Sequence, residues 1–218
     1  MLAHINYPIR ILLVDDHLVV RAGYRRLIER QAHLQIVAEA SNGETGYQLY
    51  VQHQPDVVVM DLSMPGRGGI TTIQYLRARY DKARILVFSM HEEPIFAEHA
   101  FAAGAAGYIT KSSAPEVLVE AIEQVAQGET YLGNDIAQKL ALHSVLNNAS
   151  AGIKNLSTRE FEIFRLLAEG RTTAEIAEQL NVSHKTISNY YSQIRQKLNV
   201  NNTAELIRLA IRHGVVQL

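Results

Sequence analysis

Two adjacent carboxylates, Asp15 and Asp16, follow directly on the four-residue apolar run Ile11-Leu12-Leu13-Val14. A third, Asp61, follows Val57-Val58-Val59-Met60; Ser89 closes the run Ile85 to Phe88; Thr110 and Lys111 follow Tyr108-Ile109. Neighbouring acids repel one another, so their company needs a physical reason. If the runs are strands of one sheet, three carboxylates, a hydroxyl and an ammonium share a single rim. Three close carboxylates stay ionised only beside a cation, and an all-oxygen donor set favours a hard one such as Mg2+, which keeps waters and accepts phosphate. A divalent ion and a lysine beside a carboxylate suit phosphoryl chemistry: they neutralise charge on the transferring group while one carboxylate attacks to form an aspartyl phosphate. Asp61, at the central strand's end, is the candidate nucleophile, and the loop Ser63-Met64-Pro65-Gly66 offers a backbone carbonyl as a further metal ligand. A single Asp at a strand end is usually a turn or cap residue; here the order of the whole set on successive strand ends carries the argument.

The elements that must position these groups are legible as alternation. With Ile36 to Ala38 added, five short apolar runs are separated by helical patterns, which predicts a doubly wound α/β domain, a five-stranded parallel sheet covered by helices on both faces. Ligands of such sheets gather outside the carboxyl ends of the strands, where strand order reverses. The clearest helix spans 116 to 127, with Val117, Leu118, Ala121, Ile122 and Val125 on one face, and Val20, Tyr24, Leu27 and Ile28 mark another between 17 and 30. After Gly128 the alternation stops. Residues 134 to 146 read as an amphipathic helix with Ile136, Leu140 and Val145 among its apolar positions, and NNASAGIKN reads as a linker, which places the boundary at 147 to 154. The chain divides into 9–127, a linker with a helix over 128–154, and a small all-α domain over 155–218.

Helix starts dominate this last segment. Ser157 with Glu160 and Thr172 with Glu175 have capping-box spacing, Ser183 can cap a third helix and Thr203 a fourth. Gly170 ends the first helix, and Asn181-Val182-Ser183 makes a tight turn between the second and third, the arrangement of a helix-turn-helix. On the third helix Ile187, Tyr191, Ile194 and Leu198 face the core. The opposite stripe holds Lys185, Ser188, Asn189, Ser192 and Arg195, flanked by Lys197, with no acid from 181 to 198. Short hydrogen-bonding side chains there can approach base edges while Lys and Arg engage phosphates.

Charge supports two partners. Residues 1 to 152 carry 12 Lys and Arg against 16 Asp and Glu, and residues 153 to 218 carry 9 against 6; the net charge of -1 hides an acidic and a basic module. The absence of cysteine rules out disulfides, thiolate zinc sites and cysteine nucleophiles. No run approaches the ~20 apolar residues of a membrane helix, and MLAHINYPIR lacks the pattern of a secretory leader, so no membrane partner and a cytoplasmic location are expected.

LLVDDH, VVVMDLSMPGRGG, VFSM and AGAAGYITK resemble the receiver domain of bacterial two-component response regulators, from about residue 9 to 127. The resemblance implies a flavodoxin-like fold with Asp61 as phosphoacceptor. It implies that Asp16 and the Ser63 carbonyl ligate Mg2+ directly, with Asp15 acting through water. Ser89 then binds a phosphoryl oxygen, Lys111 pairs with the phosphate, and Tyr108 is the aromatic switch residue. LSTREFEIFRLLAEGRTTAEIAEQLNVSHKTISNYYSQIRQKLNV is similar to LuxR-type DNA-binding domains, which identifies the chain as a member of the NarL/FixJ family; DIAQ and LAIRHGVV further resemble its GacA/UvrY branch. The matching positions include Lys185, Thr186 and Lys197; many relatives carry Lys at the position of Ser188 and His at that of Tyr190. The implied partners are a sensor histidine kinase, double-stranded DNA, RNA polymerase and, once phosphorylated, a second copy of the chain.

Phosphorylation is expected to draw Ser89 and Lys111 inward and reshape the loop Met90-His91-Glu92-Glu93. No enzyme activity beyond the receiver's own phosphoryl transfer and dephosphorylation is expected. Two other readings share parts of this pattern. A Mg2+-dependent phosphatase also uses an aspartyl phosphate, but as a family those enzymes place the nucleophile on the first strand with a second Asp two residues on. A regulator that binds DNA without phosphate would not need the complete acidic set.

Overall fold

The computed structural model describes residues 8–66, 68–146 and 151–216, without the side chains of 143–146 and 151. The side chain of Val145, part of the linker helix's apolar pattern, Arg67 of the loop after Asp61, and most of the opening segment therefore lie outside the described residues, as do 147–150 of the expected linker.

Along the chain run β1 (Ile9–Val14), α1 (Leu18–Ile28), β2 (Leu34–Ala40), α2 (Gly43–His53), β3 (Val57–Met60), α3 (Gly69–Arg79), β4 (Ile85–Ser89), α4 (Pro94–Ala102), β5 (Gly107–Thr110), α5 (Pro115–Gln127) and β6 (Tyr131–Leu132). They are followed by α6 (Asn134–Leu146), α7 (Ala151–Lys154), α8 (Thr158–Ala168), α9 (Thr173–Gln179), α10 (His184–Leu198) and α11 (Thr203–Arg212). The chain forms two compact units, one running up to Met90 and including Gly104–Gly133, the other made of His91–Ala103 and Asn134–Leu218.

In the first unit every strand pairing is parallel, in the order β2-β1-β3-β4-β5-β6. The five expected strands are joined by a sixth, β6, two residues long and half-exposed at the sheet edge. A pair with no apolar run of its own carries no periodicity to read; it becomes a strand because Tyr131 and Gly133 donate backbone hydrogen bonds to Ala106 and Tyr108. The central strands have both faces covered, so β3, β4 and β5 are buried at every residue. One face packs Ile11, Leu13, Val57, Val59, Leu86 and Ile109 against Ile28 of α1 and Leu118, Ile122 and Val125 of α5. The strand order reverses between β1 and β3, whose register sets Val14 opposite Met60. That register places Asp15 and Asp61 at adjoining strand ends.

The second unit is helical. The capping boxes at Ser157/Glu160 and Thr172/Glu175 are both formed, and Ser183 caps α10 by accepting from Thr186 N at 3.1 Å. The last helix starts differently from the expectation: Asn202, not Thr203, is the cap. Its extended backbone (φ -150°, ψ 169°) lets the side-chain oxygen accept from Glu205 N at 2.9 Å, which leaves Thr203 as the first helical residue. The expected linker also contains the short helix α7, whose Ile153 is buried. Within this unit α4 packs on α8: Phe96 meets Phe161 edge-on at 5.4 Å, and His99 stacks on Phe161 at 3.8 Å. Lys154 pairs with Glu98 at 2.7 Å, and His91, in the loop before α4, stacks on Phe96. The grouping of 91–103 with the helical segment follows from α4's two-sided apolar surface, since Ile95, Phe96, Ala97 and Ala100 are all buried.

Candidate phosphoacceptor site and nucleic-acid interface

The rim of the first unit is assembled by backbone hydrogen bonds that run directly from strand ends to site residues. Asp15 N donates to Ala40 O, Asp61 N to Val14 O at 2.9 Å, and Lys111 N to Ser89 O at 2.7 Å. Each site residue is thus the first residue beyond the ladder on its own strand. Four of the expected residues converge: Asp15, Asp16 and Asp61 cluster, and Lys111 Nζ donates to Asp15 Oδ2 at 2.6 Å and to Asp61 Oδ2 at 2.8 Å. Asp15 and Asp61 are both buried, as is the Lys111 side chain.

The electrostatics follow from this burial. Burial lifts the Asp61 carboxyl above its ordinary range, Lys111 opposes that, and the Asp15 charge adds to it. Burial also disfavours the Lys111 ammonium, but Asp61 and Asp15 outweigh it and raise its pKa, so the lysine stays charged. One ammonium among three acids leaves a surplus of negative charge. Asp61 Oδ1 accepts from Leu62 N at 2.7 Å and from Ser63 N at 3.4 Å, which aims the carboxylate. Asp16 Oδ1 is buried and accepts no hydrogen bond. A buried carboxylate oxygen that accepts no hydrogen bond, beside two further acids and with only the His17 ring nitrogen close by, fits a hard divalent cation.

Ser89 ends β4, fully buried, with Thr110 paired opposite it on β5. Tyr108 is fully buried on β5. Ser63 stands two residues past Asp61. A Cβ on Gly69 would lie 2.2 Å from the Asp61 carbonyl oxygen, so the start of α3 approaches Asp61's own backbone as only glycine permits.

Sequence reading did not single out two neighbours. Arg21 on α1 donates from Nη1 to the Asp15 carbonyl at 2.6 Å and from Nε to Glu39 on β2 at 2.9 Å, bracing the acid's backbone. His17 lies in the cluster itself, its Nδ1 2.9 Å from Asp16 Oδ1. The available signal was adjacency: His17 follows the paired acids, and Arg21 lies one helical turn beyond it.

Comparison with known proteins accounts for this arrangement. Residues 11–123 match the response regulator receiver domain, and residues 154–210 match the bacterial regulatory proteins of the luxR family. The chain belongs to the NarL/FixJ response regulators. It is 39% identical over 208 residues to the response regulator UvrY of Escherichia coli strain K12, covering 95% of each chain. It is 38% identical to the response regulator GacA of Pseudomonas aeruginosa, covering 95% of this chain and 98% of that one. Among solved structures, RcsB from Salmonella enterica serovar Typhimurium, bound to a promoter in the presence of the phosphomimetic BeF3-, superposes with a TM-score of 0.71. It shares 30% identity over 92% of this chain and 96% of its own.

The response regulator's output helix is α10. Ile187, Ile194 and Leu198 are buried and Tyr191 is half-buried, which leaves the polar stripe outward. The stripe divides into two kinds of residue. Lys185 and Asn189 are exposed and, among the described residues, make no ion pair or side-chain hydrogen bond. Thr186, Ser188 and Ser192 are tied to their own helix or its cap, through Ser183 Oγ, His184 O and Ser188 O. Arg195 donates to the carbonyls of Val200 and Asn201, closing the C-terminal end of α10. Lys197 Nζ reaches Glu160 Oε2 at 2.6 Å. Burial pushes the Glu160 carboxyl up, but Lys197 and the Ser157 backbone N–H outweigh it and hold the pKa below its ordinary value. Both outlying basic residues thus have work inside the fold. Of the expected DNA contacts, Lys185 and Asn189 are the ones wholly given to the surface.

Proposed function

We propose that this response regulator receives a phosphoryl group on Asp61 from a sensor histidine kinase and, as a homodimer, controls transcription at specific DNA sites. An Asp61 Oδ attacks phosphorus as the donor's P–N bond breaks, and the departing imidazole of the kinase histidine takes up a proton. Asp15, Asp16, Asp61 and the Ser63 carbonyl would hold Mg2+, which supplies charge neutralisation on the transferring group when bound. Lys111, charged and already bridging Asp15 and Asp61, neutralises a phosphoryl oxygen. Ser89 donates its hydroxyl to the modified side chain, and Tyr108 occupies the buried position beneath the switch. Dimerisation would set two α10 helices about one DNA turn apart, within reach of RNA polymerase.

The receiver's catalysis is confined to its own phosphorylation and hydrolysis. DNA as partner supports a cytoplasmic site of action, and among the described residues no helix is long and apolar enough to cross a membrane. The observation that carries this reading is the pairing of Lys111 with two buried acids at the sheet's carboxyl rim, in a chain whose other domain is of the LuxR type. Acetyl phosphate with Mg2+ should add one phosphoryl group to the protein, seen as a mass increase, and Asp61→Asn should abolish it. Undiminished labelling of the variant would refute Asp61 as nucleophile.

A further inference from the structure

Much of the outward face of α10 is already committed within the protein. Ser188 and Ser192 donate their hydroxyls to carbonyls of their own helix, His184 O at 3.0 Å and Ser188 O at 3.1 Å, which leaves each oxygen only as an acceptor. Arg195 is tied to the carbonyls of Val200 and Asn201, and Lys197 to Glu160. Asn189 and Gln193 differ. Both are exposed, and among the described residues neither carboxamide makes a hydrogen bond. Four positions apart, they project from one face of the helix, about 6 Å from each other along its axis. Ile187, Ile194 and Leu198 anchor the opposite face in the core, so the two amides are aimed at whatever α10 approaches.

A carboxamide sets a donor beside an acceptor. In the major groove adenine offers the matching pair, the N7 acceptor and the N6 donor, whereas guanine offers two acceptors and calls for Arg or Lys. With Arg195 held inside the fold, the outward stripe carries no free guanidinium among the described residues. Lys185 is free, but its ammonium is a point charge that a phosphate satisfies. The two serine oxygens, as acceptors, match adenine N6 or cytosine N4 and not guanine. Gln196 is exposed as well, yet it stands nearer the helix's C-terminal end, and recognition helices meet base edges with their N-terminal residues. We propose that Asn189 and Gln193 determine the sequence this response regulator reads, each holding one adenine in the major groove. The 6 Å between them corresponds to about two base steps, so every half-site carries two A·T pairs at about that spacing. The inference rests on the reading of the chain as a sequence-specific DNA binder and adds which base it selects.

The test uses the full chain, treated with acetyl phosphate and Mg2+, to select duplexes from a pool of randomised sequence, followed by fluorescence anisotropy on the selected duplex and its single-pair variants. The selected half-sites should share two A·T pairs with the expected spacing. Exchanging either for G·C should weaken binding by about tenfold or more, the scale of a bidentate base contact. Asn189→Ala should erase the discrimination at one of these pairs and keep it at the other, and Gln193→Ala should do the converse; thermal melts confirm that both variants are folded. G·C pairs at the positions these variants affect would overturn the proposal. So would discrimination unchanged in both variants, or equal losses on selected and unrelated duplexes, which would put the amides on phosphates. A protein that selects no sequence over random duplex refutes the reading of specific DNA binding itself, and this inference falls with it.

Discussion

Lys111 shows how a single side chain holds an otherwise repulsive cluster together. With its ammonium within 2.8 Å of two buried carboxylates, replacing it by an apolar residue leaves charge uncompensated, a change that costs about 3 kcal/mol where the pair is buried. Lys111→Met is therefore expected to lower the melting temperature in metal-free buffer, and millimolar Mg2+ should restore more of the loss than it adds to the unmodified protein. Thermal melts with and without Mg2+ decide this; an equal Mg2+ effect on both proteins would mean that the ion and the lysine do not share the acids. The residues that define this site were legible from sequence because each stands at the end of a buried strand or within two residues beyond it. Arg21 and His17 were not singled out, since their roles depend on how α1 leaves β1, a matter of backbone path and not of residue type.

At the scale of elements, α10 separates two jobs that look alike in sequence. Lys185→Ala should weaken binding to every duplex by a similar factor and reduce the slope of log affinity against log salt by about one. Lys197→Ala should instead lower the stability of the helical unit, by about 1 kcal/mol given the half-exposed ammonium, because Glu160 loses its charged partner. Fluorescence anisotropy against salt, alongside thermal melts, distinguishes the two variants. The α4–α8 contact carries a pH dependence of its own. Burial lowers the His99 pKa from 6.5 to about 4, against a smaller opposing effect of its contact with the Ile153 carbonyl. The folded protein then binds fewer protons than the unfolded chain between these values, so this packing is fully stable above pH 6.5 and loses stability as pH falls towards 4. Stability measured from pH 7.5 to 4.5 should decline by on the order of 3 kcal/mol from this group, and His99→Leu should remove that part of the slope. An unchanged slope in the variant would show that other groups govern the acid transition.

For the whole molecule, the chain joins an acidic receiver to a basic DNA-binding segment, and under the proposed function a change at Asp61 is felt where DNA binds. Acetyl phosphate with Mg2+ is expected to roughly double the mass measured by light scattering and to tighten binding to paired half-sites, while Asp61→Asn stays monomeric. Promoter binding of equal strength by Asp61→Asn and the phosphorylated protein would refute the switch. The strand order, in which β1 and β3 lie side by side across the reversal point, puts Asp61 and its acidic partners where the sheet opens to ligands. That arrangement was legible because alternating apolar runs and helical stretches admit few right-handed parallel connections.

The sequence by itself determined the parallel sheet, the acids and lysine at its rim, the two capping boxes and the helix-turn-helix, because each is written in local periodicity or in residues a few positions apart. Tertiary structure alone decided that β6 joins the sheet edge, that His91–Ala103 groups with the helical unit, that Asn202 and not Thr203 caps the last helix, and that Arg195 and Lys197 turn to partners within the protein. Each of these depends on where distant backbone or side chains come to lie, and an amphipathic surface or an unpaired carbonyl does not name its partner until the chain has closed on itself.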